Sequence, residues 1–237
     1  MRLDNYLAKN GYCKSREKAK SLILEGKVSV NNRYILKPSF EIDLKSNELI
    51  VLNTERLFVG RAGEKLLNYI EKIGIVCEGR YVLDVGSSTG GFAQVLLSKG
   101  AAEVTCVDVG SDQLDMELRK DPRIKLFERC DIRNFSSLKK FDLIVCDVSF
   151  ISLSKILDSL ISLSDQYILL FKPQFEVGKK IKRNKKGVIL DKEAVASRMQ
   201  EFSLELNTKG LKIYDIQKSS LRGKEGNEEF FFHIRKS

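Results

Sequence analysis

The stretch that most constrains the fold is Tyr81 to Phe92, Y-V-L-D-V-G-S-S-T-G-G-F. An apolar strand ends in an acid, turns through glycines and enters a helix. Further acids fall at strand ends downstream: Asp108 after Val104-Thr-Cys-Val, Asp131 in Cys130-Asp-Ile, and Asp147 after Leu143-Ile-Val-Cys. One such acid alone reads as a strand-end turn or a helix cap. Four in register do not, because ligands of open α/β sheets sit beyond the carboxyl ends of the strands, where the strand order reverses.

The surrounding pattern agrees. Helices are expected over 64–75, 91–99, 113–119, 153–162 and 192–209. Strands are expected over 81–85, 103–109, 124–127, 141–147, 167–171, 211–219 and 229–235. Alternation on this scale predicts an α/β domain with a mostly parallel sheet covered by helices on both faces.

The turn spacing is G-x-x-x-G-G. It matches neither the dinucleotide G-x-G-x-x-G nor a phosphate-binding G-x-x-x-x-G-K-[ST]. Glycines let a backbone approach a ligand closely. Asp108 is placed to accept ribose hydroxyls, as an acid does in dinucleotide folds, and Asp131 to meet an adenine amino group. A cofactor carrying a sulfonium and an amino group, S-adenosyl-L-methionine (AdoMet), suits acids at Asp84 and Asp147 better than a pyrophosphate does. The expected cofactor set is Asp84, Gly86, Ser87, Ser88, Thr89, Gly90, Gly91, Phe92, Asp108, Asp131 and Asp147.

The region before residue 53 reads differently. Leu3, Tyr6 and Leu7 share one helical face, closed by Gly11. A second helix has Ser15 as N-cap, Ala19, Leu22 and Ile23 as its apolar face, and Gly26 as its stop. Lys27 to Val30 and Arg33 to Ile35 flank Asn31-Asn32 as a hairpin, with short strands expected at Phe40, Ile42 and Leu49 to Leu52. Lys14, Arg16, Lys18 and Lys20 crowd the first turns of the second helix, where the helix dipole favours acids. Cations kept there point to an anionic partner.

The whole chain carries a net charge of +9 over 237 residues, which suits nucleic acid or an anionic membrane surface. A second concentration of charge is Lys179 to Gly187, with six basic residues in nine positions. Self-repulsion is expected to keep it mobile until an anion arrives.

Five cysteines without C-x-x-C spacing, and a single histidine, His233, argue against a disulfide framework and a metal site. His233 is expected to be structural. No apolar run reaches the ~18 residues a membrane span needs. The N-terminus lacks the apolar core of a secretory signal, so the expected location is cytoplasmic.

Residues 1–51, through R-L-D, S-R and G-x-V-x-V-N, resemble the small RNA-binding module first seen in ribosomal protein S4. Residues 61–235, through DVGSSTGGF, DVSF and KPQFE, resemble the FtsJ-type RNA ribose 2′-O-methyltransferases of the class I AdoMet-dependent fold. The combination is similar to the TlyA family, bacterial rRNA 2′-O-methyltransferases also named haemolysins, in its shorter form. The resemblance implies a seven-stranded Rossmann-like domain at 61–237, an RNA-binding domain at 1–52 and a linker at 53–60. It also implies AdoMet as cofactor, rRNA or a ribosomal subunit as partner, a cytidine of 23S rRNA as target, a monomer, and no integral membrane association.

The FtsJ-type family uses a Lys-Asp-Lys-Glu tetrad. By resemblance its members fall on Lys65, Asp147, Lys172 and Glu229, with Glu228 and Glu225 as neighbours of the last. A free lysine, with a pKa near 10.4, is a poor base at neutral pH. A second ammonium and partial burial improve it, while nearby carboxylates oppose that and hold the geometry. Lys172 is expected to take the proton and Lys65 to orient the 2′-oxygen; the roles are exchangeable. The expected RNA contacts are Arg2, Lys14, Arg16, Lys18, Lys20, Arg61, Lys179, Lys180, Lys182 and Arg183. Competing readings are an NAD(P)-dependent dehydrogenase, a membrane-active haemolysin, and a non-catalytic RNA-binding assembly factor.

Overall fold

The computed structural model describes residues 1–24, 27–31, 33–35, 37–43, 50–52, 58–178 and 180–236. It divides into two units, Met1–Leu57 and Phe58–Ser237. Gly26, Asn32, Leu49, residues 53–57 of the expected linker, and Lys179 lie outside the described residues.

The first unit contains α1 (Leu3–Lys9), α2 (Arg16–Leu24), β1 (Val28–Val30), β2 (Arg33–Tyr34) and β3 (Ile50–Leu52). Leu3 and Leu7 of α1 meet Ala19, Leu22 and Ile23 of α2 over Val28, Val30 and Ile42. Ser15 caps α2, its Oγ accepting from the Lys18 amide at 3.1 Å. β1 lies between β2 and β3, antiparallel to both. The expected strand at Phe40 and Ile42 is instead a strap. The Leu3 amide donates to Phe40 O (2.7 Å) and the Ile42 amide to Met1 O (2.8 Å), with one bridge between Arg2 and Glu41. Because α1 begins at Leu3, only two residues remain extended for pairing.

The second unit runs α3 (Arg61–Ile73), β4 (Tyr81–Val85), α4 (Gly91–Ser98), β5 (Glu103–Val107), α5 (Met116–Lys120), β6 (Ile124–Phe127), β7 (Leu143–Cys146), α6 (Leu157–Ile161), β8 (Gln166–Phe171), α7 (Pro173–Glu176), α8 (Lys192–Thr208), β9 (Leu211–Lys218) and β10 (Phe230–Lys236). The strands form one sheet in the order β6-β5-β4-β7-β8-β10-β9. β10 runs antiparallel to both neighbours, and the pairs from β6 through β8 are parallel. The order reverses at β4, with β5 on one side and β7 on the other, which sets the ligand cleft at their carboxyl ends.

Each face of the sheet has its own core. Leu66, Tyr69 and Ile70 of α3, with Phe92, Val95 and Leu96 of α4, cover one face. Leu157 and Leu160 of α6, with Phe202 and Leu206 of α8, cover the other. Phe171, Phe202 and Phe232 form a ring cluster there, at 5.4–5.7 Å between centroids. Truncating any of these fully buried rings to Ala would cost about 3–5 kcal/mol. His233, on β10, lies 2.9 Å from the Gln166 amide nitrogen and is buried, as a structural residue would be.

Two expected helices are shorter than their sequence pattern. Residues 153–162 break into a 3-10 turn at Leu153–Lys155 and then α6, since Ser152 caps the turn. α5 begins only at Met116, because Asp115 accepts from the Glu117 amide (2.9 Å) while Gln113 takes the Ser88 hydroxyl (3.1 Å). Phe58 and Val59, expected in the linker, pack against the core of the second unit, and the Val59 amide donates to Gln94 Oε1 at 2.7 Å.

Candidate active site

β4 delivers the chain into the glycine turn with Gly86 at φ 81°, a conformation that favours glycine. A Cβ at Gly86 would lie 2.9 Å from the Asp147 carbonyl oxygen, so the β4 and β7 turns meet backbone to backbone. The cleft beside this turn has a volume of about 420 Å³. Gly86, Ser88, Asp108, Asp131 and Asp147 line it. A smaller cavity of about 190 Å³ shares Gly86, Ser88, Asp147 and Ser149 with it and adds Ser87, Thr89, Gly91, Phe92, Arg61 and Lys172.

Gly90 and Asp84, also expected to hold the cofactor, line neither cavity. Gly90 (φ 93°) is the N-cap of α4, pressed against Leu114 and Leu118. Asp84 is fully buried beneath the turn, and neither carboxylate oxygen closes a hydrogen bond of normal geometry among the described residues. Burial, then the charge of Asp147, pushes its pKa well above the usual carboxylate range, against the Ala93 amide. An orphaned buried acid is the mark of a site that expects a positive or hydrogen-bond-donating ligand.

The acids at the far side are differently held. Asp108 accepts from the Ser88 amide (2.8 Å) and the Gly110 amide (2.7 Å), which fixes the carboxylate at the cleft wall. Asp131 is gripped by Arg133 at 2.5 Å, and that hydrogen bond draws its pKa down to about 2. The residues present thus fit AdoMet: a glycine cradle, a carboxylate at the end of β5 for ribose hydroxyls, and buried acids toward the cationic end.

The four tetrad positions converge as two ion pairs. Lys65 Nζ lies 2.6 Å from Glu229 Oε2, and Lys172 Nζ lies 2.5 Å from Asp147 Oδ1. All four side chains are at most 13% exposed. Lys65 reaches the site because α3 and α4 approach closely where Gly63 meets Gly91. A Cβ at Gly63 would lie 2.8 Å from Gly91 O, and one at Gly91 the same distance from Gly63 N. Lys172 also donates to Ser149 Oγ (3.0 Å), and Gln174 donates to Glu229 Oε1 (3.4 Å). Burial pushes the Asp147 pKa up, opposed by Lys172 and Lys65. Of the alternative acids, Glu228 faces away, paired with Lys218 at 2.5 Å.

Sequence reasoning missed Ser149 and Gln174. The signal for Ser149 was present in D-V-S-F, but a serine two residues past a strand-end acid reads first as a turn residue.

Among the expected RNA contacts, Lys14 and Arg16 are exposed and Lys18 and Lys20 are half-buried. Arg2 and Arg16 are organised by a residue the sequence did not flag. The Asp4 carboxylate accepts from Arg2 (2.9 Å) and Arg16 (3.2 Å) and is fully covered. That pairing accounts for the cation at the first position of α2. In the second unit Arg61 donates to Arg222 O (2.9 Å), and Lys180 and Lys182 are exposed. Arg183 is half-buried beside Gln174 O (3.5 Å). The basic loop carries its own bonds: Asn184 Oδ1 accepts from the Lys186 and Val188 amides (2.8 and 3.0 Å), and Arg183 bridges Ile189.

Cys77, Cys106 and Cys146 are buried free thiols. Among the described residues no cluster of three metal-ligating side chains occurs, and no helix is long and apolar enough to cross a membrane.

The strand order, with its single antiparallel strand β10, and the glycine turn beside strand-end acids define the class I, Rossmann-like methyltransferase fold. The FtsJ-like methyltransferase family matches residues 58–236, and the S4 domain matches residues 1–48. The 23S rRNA (cytidine-2′-O)-methyltransferase TlyA of Campylobacter jejuni is 41% identical, covering 100% of both chains. The 16S/23S rRNA (cytidine-2′-O)-methyltransferase TlyA of Mycobacterium tuberculosis is 37% identical over 99% of this chain and 89% of that protein. A solved structure titled as a hemolysin from Streptococcus thermophilus aligns at a TM-score of 0.74 and 31% identity, covering 100% of this chain and 88% of that one. The chain belongs to the TlyA family of FtsJ-like methyltransferases.

Proposed function

We propose that the chain methylates the ribose 2′-oxygen of a cytidine in 23S rRNA, using AdoMet. One observation carries this reading: two buried Lys–carboxylate pairs, Lys172–Asp147 lining a glycine-walled cavity and Lys65–Glu229 near enough to act electrostatically on Asp147. The relative that matches over the full length of both chains is named for 23S rRNA and cytidine 2′-O-methylation, which supports the choice of substrate. The S4 domain match supports RNA as the partner. The proposed domain division is RNA recognition in the first unit and catalysis in the second, with the protein acting in the cytoplasm.

When bound, AdoMet supplies a methyl group already activated on a sulfonium. What remains for the chain is alignment and proton management. Gly86, Ser88, Asp108 and Asp131 would hold the adenosine part, and Asp84 and Asp147 would favour the cationic end. Lys65, fixed by Glu229, would orient the 2′-oxygen by donating a hydrogen bond to it. Lys172 would take the 2′-hydroxyl proton. Burial makes charge separation within the Lys172–Asp147 pair costly and raises the Asp147 pKa. Accepting the 2′-hydroxyl proton requires Lys172 to enter the step as the neutral amine. Arg2, Lys14, Arg16, Lys18 and Lys20 in the first unit, and Arg61, Lys179, Lys180, Lys182 and Arg183 in the second, would neutralise phosphates.

The test is methyl transfer from labelled AdoMet to 23S rRNA, followed by alkaline hydrolysis. A 2′-O-methyl group removes the internal nucleophile, so the label is expected in an alkali-resistant dinucleotide containing cytidine. Label released as a base-methylated mononucleotide would contradict the reading.

A further inference from the structure

We propose that Glu176 is a positioning residue that holds Lys172 against Asp147 and Ser149. This rests on the catalytic reading of Lys172 given above. Glu176 closes α7, four residues beyond Lys172, and its side chain is 2% exposed. Its Oε2 accepts from Ser152 Oγ at 2.6 Å, and its Oε1 accepts from the Leu153 amide at 2.7 Å. Both partners belong to the segment after β7 that carries Asp147 and Ser149. One carboxylate thus joins the two segments whose side chains form the Lys172–Asp147 pair and the Lys172–Ser149 bond.

The clamp is anchored from behind by α8. Arg198 stands 3.5 Å from Glu176 Oε2 and donates to Ser154 Oγ at 2.6 Å, and Ser154 donates to Glu205. On the outer side Phe150 and Phe175, one from each segment, meet at 5.1 Å between ring centroids.

Packing alone does not call for this residue. A buried carboxylate carries a desolvation penalty that an apolar side chain of the same volume avoids. Phe150 sits at φ 68° and is 91% exposed, and a bulky residue keeps that backbone only where its surroundings impose it. Glu176, through Ser152 and Leu153, fixes the segment just beyond Phe150. Misplacing a catalytic group by about 1 Å can cost about 100-fold in rate, so the clamp acts where small shifts matter most.

The experiment compares single-turnover methylation of 23S rRNA by wild type, Glu176→Ala, Glu176→Gln and Ser152→Ala, with KM for rRNA and thermal unfolding measured on each. Glu176→Ala is expected to lower the rate by ~30–100-fold with KM for rRNA within about twofold. Glu176→Gln is expected to restore the rate to within about fivefold of wild type. Its amide oxygen still accepts from Leu153, and its nitrogen can donate to the Ser152 hydroxyl. Ser152→Ala, which keeps the carboxylate and loses one of its bonds, is expected to lose ~5–10-fold. An unchanged rate in Glu176→Ala would overturn the proposal, as would a rise in KM for rRNA at unchanged rate. If Glu176→Ala fails to fold, an unchanged rate in folded Ser152→Ala would overturn it equally. Wild type that transfers no methyl group to rRNA would instead sink the functional reading, and this proposal with it.

Discussion

Lys65 Nζ and Glu229 Oε2 meet at 2.6 Å although 164 residues separate them in the sequence. One comes from the start of α3 and the other from the residue before β10, and both are buried. Buried ion pairs add little net stability, because desolvation offsets their attraction. Their presence close to Asp147 is therefore better explained by chemistry than by folding.

Replacing Glu229 with Gln is expected to lower kcat by ~100-fold or more, in the range of lost acid–base machinery. AdoMet affinity should change little. Glu228→Gln, which removes the partner of Lys218 on the opposite side of the strand, should leave kcat within about twofold. Steady-state kinetics of both variants distinguish them. A larger loss in Glu228→Gln would move the fourth tetrad position.

Gly86→Ala places a methyl group 2.9 Å from the Asp147 carbonyl and forces a positive φ on alanine. Strain of this kind costs about 1–3 kcal/mol. Calorimetry should show AdoMet binding weakened by at least tenfold, and denaturant unfolding a lower midpoint. Wild-type AdoMet affinity in this variant would show that the turn does not shape the cofactor site.

Asp84 has a folded-state pKa raised by burial, then by Asp147. The sign follows from linkage. Folding takes up a proton here, so the stability tied to this group is complete below the unfolded pKa near 3.9 and is lost as pH rises toward the folded value. Asp84→Asn should match wild type in stability at low pH and exceed it increasingly at higher pH. Its AdoMet affinity should fall at neutral pH, because Asp84 no longer backs the glycine turn from beneath. Urea unfolding between pH 4 and 9, beside AdoMet titrations, tests both parts.

Asp4 shows the opposite sign. The hydrogen bond from Arg2, with help from Arg16, holds its pKa at about 2. Its contribution is present above the unfolded value near 3.9 and disappears as pH falls from about 4 to about 2. Asp4→Asn should destabilise the first unit at pH 7, and the gap to wild type should close on acidification. Hydrogen exchange of α1 amides at pH 5 and pH 3 would reveal the trend, and a gap that widened with acid would refute it.

The Rossmann-like sheet was legible because V-L-D-V, V-T-C-V-D and L-I-V-C-D announce buried parallel strands, each with an acid at its carboxyl end. Strand order and the antiparallel β10 were not legible, since pairing partners leave no local pattern. The tetrad positions were found through their motifs, but their pairing was not. Whether Lys65 meets Glu229 or Asp147 depends on how closely α3 approaches α4, which Gly63 and Gly91 decide. Asp84 looked like a cleft acid because strand-end acids usually face the ligand. In three dimensions it sits one layer lower, under Gly86. Asp4 was invisible as an organiser because its role requires Arg2, just before α1, and Arg16, at the start of α2, to converge.

The most direct test of the central claim is mass-spectrometric mapping of 2′-O-methyl groups in rRNA. It compares cells lacking this protein with the same cells carrying the wild-type chain or Lys172→Ala. The account predicts one additional 2′-O-methylcytidine in 23S rRNA with the wild-type chain and none with Lys172→Ala. Identical methylation maps in all three would contradict it.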